Sequence, residues 1–163
     1  MLKSFKLFNK YFGSDVKLLL AGSILWQKTA IELTYADSDH NTDIVFTGRL
    51  SDNNLQKILG AALALSFEPL FEGFGLPIVE AMQCGVPVIC SNVTSMPEVA
   101  GEAALLVNPY YVKQIAEAKV RIYTDKNLQH ELIAKGYKQK QLFSWDRTSG
   151  LLWETISKVV GEK

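Results

Sequence analysis

Cysteine is scarce in this chain. Cys84 and Cys90 are the two present among 163 residues, too few for a disulfide framework and without a zinc-type spacing. They are expected to be reduced, buried thiols in a cytoplasmic protein. Net charge is missing as well: seventeen basic residues meet seventeen acidic ones, so no overall field draws the chain to nucleic acid or to an anionic membrane. Histidine occurs twice, at His40 and His130, each among polar neighbours that suit a solvated ring. No apolar run is long enough to span a bilayer. The longest, VKLLLAGSILW at 16–26, is interrupted by glycine and serine. The opening MLKSFKLFNKYF lacks the small-residue cleavage pattern of a signal peptide. Internal repeats, low-complexity tracts and obvious linkers are also absent.

What is present is an ordinary globular composition, 48% apolar and 21% charged. The length predicts one domain, 1–163, with a sizeable core. Leu2, Phe5, Phe8 and Phe12 mark one face of an opening helix ended by Gly13. DVKLLLAG then reads as a strand, ILWQKTAIELTYAD as a helix and DIVFTG as a second strand. Ser51-Asp52 caps a helix through NNLQKILGAA. LALSF, VPVICS and AALLVN read as three further strands. The helix LPIVEAMQ opens at Gly75-Leu76-Pro77 and closes at Gly85, and MPEVAGE forms a turn or short helix. From Val112 to Val160 three helical segments break near Asp125 and Phe143-Ser144. Short buried strands alternating with helices give an α/β class. The expectation is a Rossmann-like parallel sheet of about five strands near 16–21, 43–47, 62–67, 86–90 and 104–107, with helices on both faces and a helical C-terminus. Ligands of such a sheet bind at the strands' carboxyl ends.

One of those ends carries EPLFEGFGLPIVEAMQCGVPVICSN, residues 68–92. Glu72 and Glu80 stand at either side of a glycine turn that opens an apolar helix. The first N–H groups of a helix lack intrahelical acceptors and carry its positive dipole end. Gly73 and Gly75 remove side chains, so that a phosphate or sugar can approach the main chain. Flanking acids suit a ligand that offers hydroxyls beside its phosphates, as a nucleotide-diphosphate sugar does. A helix with one capping and one solvated glutamate is the alternative that spacing alone leaves open.

The run FEGFGLPIVEAMQCGVPVICSNVTSMPEVAGEAALLVNP, at 71–109, resembles the donor-binding domain of family 4 retaining glycosyltransferases of the two-Rossmann-domain GT-B class. The paired glutamates with seven residues between them, Glu-Ala-Met, Cys-Gly-x-Pro-Val and Pro-Glu-Val-x-Gly follow in the family's order. VFTGRLSDNNL and LIAKGYKQKQLFSWDRT extend the resemblance over nearly the whole chain. It implies transfer of a hexosyl group, with retention, from a nucleotide-diphosphate sugar to a glycan or lipid-type acceptor in polysaccharide biosynthesis. Glu72, the implied catalytic residue, contacts the donor hexose, and Glu80 contacts the nucleotide ribose. Backbone groups of Gly73, Phe74, Gly75 and Leu76 hold sugar and diphosphate. Gly48, Arg49 and Leu50 border the base, unless the Arg49 side chain is simply a surface arginine. Glu98 is expected to order its own loop, and Trp145 and Trp153 to pack the terminal helices. No metal or cofactor is implied beyond the donor substrate. The implied partners are that donor and a chain supplying an acceptor domain, with peripheral membrane contact left open for the full enzyme.

The sequence departs from the family in three ways. Within residues 1–163 nothing is expected to supply the acceptor domain, or the first donor-domain strand and the Gly-Arg…Lys motif whose cations neutralise the departing diphosphate. Glu68-Pro69 replaces the usual Pro-Ser. The lost strand would be central in the sheet, so the strands at 16–21 and 62–67 must pair directly or leave unpaired edges. The isolated chain is therefore expected to bind donor weakly and to transfer nothing, with Lys28 the first candidate for a replacement cation. A non-catalytic nucleotide-sugar or protein-binding module is the competing reading.

Overall fold

The computed structural model describes residues 1–12, 15–23, 35 and 41–161. The helix expected over 24–37, together with Gly13, Lys28 and His40, lies outside the described residues, apart from a helical Tyr35. Helix α1 (Leu2–Phe12) buries Phe5 and Phe8, two positions of the apolar stripe read from the sequence. Strand β1 (Leu18–Ala21) pairs in parallel with β2 (Ile44–Gly48), Leu18 opposite Ile44. These two side chains join Phe5 and Phe8 in one cluster. Helix α2 (Asp52–Gly60) starts as the Ser-Asp pair predicts, with the Asn54 N–H donating to Ser51 Oγ at 3.4 Å.

Strands β3 (Leu65–Phe67), β4 (Val88–Ser91) and β5 (Ala104–Val107) follow, all parallel, with β4 central and wholly buried. Successive β4 side chains point to opposite faces. Val88 and Cys90 pack with helices α3 (Leu76–Gln83) and α4 (Met96–Ala100). Ile89 packs on the other face with α5 (Val112–Thr124) and α6 (Lys126–Gln139). An unbroken apolar run is what a strand covered on both faces requires. Asp125 separates α5 from α6 and accepts the Leu128 N–H at 2.9 Å, which explains the break read there. Helix α7 (Trp145–Gly161) closes the chain without a buried residue. Trp145 and Trp153 are 80% and 70% exposed, against the expectation that they pack the terminal helices. The inner faces of α5 and α6 pack on the sheet, and α7 buries no residue against them.

Five parallel strands therefore form where the sequence predicts them, but they do not make one sheet. β1 and β2 stand as a pair, β3–β4–β5 as a triplet, and β1 does not bond to β3. Of the two outcomes open to the chain, edges unpaired among the described residues are the one found. Helix α1 holds the halves at this spacing by packing on α5, with the rings of Phe8 and Tyr123 meeting edge to face at 5.6 Å. A cavity of about 890 Å³ remains between the two sheets.

Candidate functional site

The loop from β3 to α3 holds most of the residues singled out by sequence. Gly75 sits at its end with φ +105°, a left-handed conformation that favours glycine, and caps α3. A Cβ there would meet Met96 Cε at 2.7 Å. The missing side chain at 75 thus leaves room for Met96 of α4. Gly73 is different: nothing lies within 4 Å of a Cβ placed on it, so its main chain stays approachable. Pro77 has no N–H and Ile78 donates to Gly75 O at 3.0 Å, so of the helix's first donors those of Gly75 and Leu76 remain outside intrahelical bonding. Glu72 is half-buried, and Phe74, Leu76 and Glu80 are exposed.

Two contacts that sequence reasoning missed fix this loop. Ser95 Oγ lies 3.0 Å from both Glu72 O and Phe74 O, so its one hydroxyl proton is shared between two loop carbonyls. The Phe74 ring packs edge to face on Phe143 at 5.7 Å, tying the loop to the segment before α7. The adjacency of Ser95 to the Met-Pro-Glu turn was the available signal. Glu98 is exposed in α4, where its carbonyl accepts Gln139 Nε2 at 3.4 Å, and His130 is exposed on α6.

At the end of β2, Gly48 takes φ +65° and its carbonyl accepts the Gly22 N–H at 2.9 Å. The chain then turns so that Arg49 and Leu50 line the inter-sheet cavity together with Pro77 and Glu80 of α3. The fold thus brings Arg49, Leu50 and Glu80 to one cavity, while Glu72, Gly73, Phe74, Gly75 and Leu76 form the adjoining loop outside its lining.

Glu68, left unexplained by the sequence, lies in a buried polar group. Lys119 Nζ of α5 donates to Ser66 Oγ at 2.6 Å and to Glu68 Oε1 at 3.3 Å, and Ser66 Oγ donates to the same carboxylate oxygen. The two charged side chains are only 10% and 2% exposed. Burial pulls the Lys119 ammonium below its ordinary pKa, against the attraction of Glu68. Burial, with Glu68 adding to it, pushes the Cys90 thiol up to about 12. Cys90 is buried and Cys84 half-buried, and both are free. No described helix is long and apolar enough to cross a membrane.

Residues 1–139 match the family described as Glycosyl transferases group 1. The chain is 34% identical over 146 residues to the O-antigen chain mannosyltransferase B of Escherichia coli, covering 90% of this chain and 38% of that protein. It is 36% identical over 119 residues to the serotype-specific mannosyltransferase WbdA of Escherichia coli, covering 73% of this chain and 15% of that one. Among solved structures, the sucrose-phosphate synthase of Thermosynechococcus elongatus superimposes with a TM-score of 0.84 at 24% identity, over 99% of this chain and 43% of the other. Anabaena HepE in complex with UDP-glucose gives a TM-score of 0.84 at 19% identity, over 96% and 44%. The chain thus spans less than half the length of these relatives.

Proposed function

The chain belongs to the group 1 glycosyl transferases, and from that premise we propose that it is the donor-binding domain, 1–163, of a hexosyltransferase acting with retention on a nucleotide-diphosphate sugar. One observation carries the reading: Glu80, Arg49 and Leu50 share a single cavity beside a glycine loop that opens α3. The carboxylate of Glu80 can accept both hydroxyls of a ribose, the solution that dinucleotide folds use. Gly48, Arg49 and Leu50 border the base. The open main chain at Gly73 and the free N–H groups of Gly75 and Leu76 face the diphosphate, with the positive end of α3 behind them. Glu72 accepts the hexose hydroxyls and orients the anomeric carbon for transfer to a glycan or lipid-type acceptor.

Charge grows on the diphosphate as the glycosidic bond breaks, and fixed cations ordinarily stabilise it. Here helix N–H groups and dipole contribute on the order of 0.3–2 kcal/mol. Two missing charge-assisted contacts would cost about 3–6 kcal/mol at roughly 1.5–3 each. The chain alone is therefore a weak binder, with donor dissociation constants of roughly high micromolar to millimolar, and not a catalyst. A nucleotide-linked mannose is the first donor to test, since two relatives named above are mannosyltransferases, and UDP-glucose is the second.

Calorimetric titration of both donors is expected to show that weak binding, with Glu80→Ala weakening it by about 1–3 kcal/mol and leaving the melting temperature nearly unchanged. Sub-micromolar binding or steady turnover would overturn the weak-donor reading. An absence of any nucleotide-sugar binding would favour a non-catalytic protein-binding module.

A further inference from the structure

A serine that opens a helix ordinarily turns its oxygen back to accept an N–H of the first turn. Ser95 stands at that position before α4 and makes no such bond. Its hydroxyl reaches the β3–α3 loop instead, 3.0 Å from Glu72 O and 3.0 Å from Phe74 O. The bend that delivers it is unusual too. Thr94, one residue earlier, takes φ +55°, and among the described residues it is the one non-glycine with a positive φ. That region is disfavoured for a β-branched side chain. Strain of this kind persists where the surrounding structure holds it, commonly beside a ligand site.

The consequence lies in the peptide planes. No cis peptide occurs among the described residues, and in a trans peptide the carbonyl and the N–H point in opposite directions. The Glu72 carbonyl shares its plane with the Gly73 N–H, and the Phe74 carbonyl with the Gly75 N–H. A hydroxyl that holds both carbonyls on the α4 side therefore turns both N–H groups to the far side of the loop. Because the carbonyls converge on one oxygen, the N–H groups spread apart, which suits two acceptor oxygens rather than one. Neither N–H has an acceptor among the described residues. At Gly75 this matters most, since the residue is buried and buried backbone donors are almost always paired. Gly73 is exposed, with nothing within 4 Å of a Cβ, so a ligand has room to reach the pair.

We propose that Ser95 is a positioning residue for diphosphate recognition, its hydroxyl aiming the N–H groups of Gly73 and Gly75 at two oxygens of the donor. The proposal deepens the donor-site reading and rests on it. Ser95 acts through the loop and does not touch the ligand. It fixes two donors before the ligand arrives, so that binding does not have to order them. Each plane it holds is followed by a glycine, the residue least able to keep a plane in place by itself. The Phe74 ring on Phe143 anchors the loop between them.

The test follows the backbone amides of the full chain by NMR during titration with UDP and with GDP, with uridine and guanosine as controls. In the parent, the diphosphates should move the Gly73 and Gly75 amide signals, and the nucleosides should not. Ser95→Ala should lose both shifts and weaken diphosphate binding about tenfold, the effect of roughly one hydrogen bond to a charged group. The shifts at Leu50 and Glu80 should persist in that variant. Ser95→Thr, which keeps the hydroxyl, should restore the glycine shifts and the affinity. If Ser95→Ala does not fold, Ser95→Cys, similar in size but a weak donor, replaces it in the same comparison. A lower melting temperature with parent-like glycine shifts and affinity would make Ser95 merely structural and overturn the proposal. Diphosphates that move Leu50 and Glu80 but neither glycine in the parent would overturn it and leave the donor-site reading standing. If no nucleotide moves any of these amides, the donor-site reading falls and the proposal falls with it.

Discussion

The carboxylate of Glu68 and the thiol of Cys90 stand near the ends of adjacent strands, both out of water. The consequence for Cys90 is an alkaline weakness. Its ordinary value of 9.0 rises to about 12 in the folded chain. Between those values the native state holds a proton that the unfolded state has released, so stability falls as pH rises, by about 1.4 kcal/mol per unit at most. Lys119 works the other way: its lowered pKa means the native state binds fewer protons below 10.5, so its contribution rises with pH. Comparing Cys90→Ala with the parent isolates the first effect. Urea midpoints at about pH 8 and about pH 10 should converge in the variant relative to the parent. An unchanged difference would mean that the thiol is not held neutral by burial. Little at this scale was legible in the sequence. Glu68 stood out as a departure from a pattern, but its partner Lys119 lies 51 residues on, on a helix whose periodicity does not mark it. Gly75 was legible as a turn glycine, while the neighbour that needs its missing Cβ, Met96, comes from another element.

Among the elements, α7 is set apart by what it leaves uncovered. Trp145, Leu152, Trp153, Ile156, Val159 and Val160 fall within one arc of its surface at helical spacing, and none is buried. Its polar positions include Asp146, Arg147, Glu154 and Lys158, which balance and lack the basic excess of a helix resting on anionic lipid. A helix that buries nothing adds little to folding. Ending the chain after Ser144 keeps Phe143 on Phe74 and should move the melting temperature by less than about 4 °C, the shift that roughly 1 kcal/mol produces in a domain of this size. It should also lower self-association at high concentration, as seen by light scattering. A drop well beyond that shift would mean that α7 rests on the body of the protein. The sequence announced this helix and its ends correctly, because period and capping are local. Its burial was misjudged, since an apolar stripe declares a need for a partner without naming one.

At the scale of the whole molecule, alternation of strand and helix was enough to read the parallel α/β class and five strand positions, and the glycine-rich loop was enough to find α3. Division into two sheets could not be read as a certainty from the pattern, which fixes neighbours along the chain but not the gap between β1 and β3. That gap was legible only through the resemblance, as one of two outcomes. Arg49 reaches the cavity that Glu80 of α3 also lines by a turn at Gly48, a glycine that the sequence marked without indicating where the following side chains would go.

The bridge between the halves is made of side chains, with Phe8 set against Tyr123 and Phe12 against the same ring at 6.4 Å. No backbone ladder crosses from β1 to β3. A ladder breaks as a unit, whereas ring packing yields gradually as solvent enters. The molecule should therefore breathe as two cooperative units. The β1–β2 half with α1 opens first and recloses, while β4, enclosed by a strand on either side and helices on both faces, waits for global unfolding. A chain of this kind carries its own weakest hinge at its centre rather than at its rim.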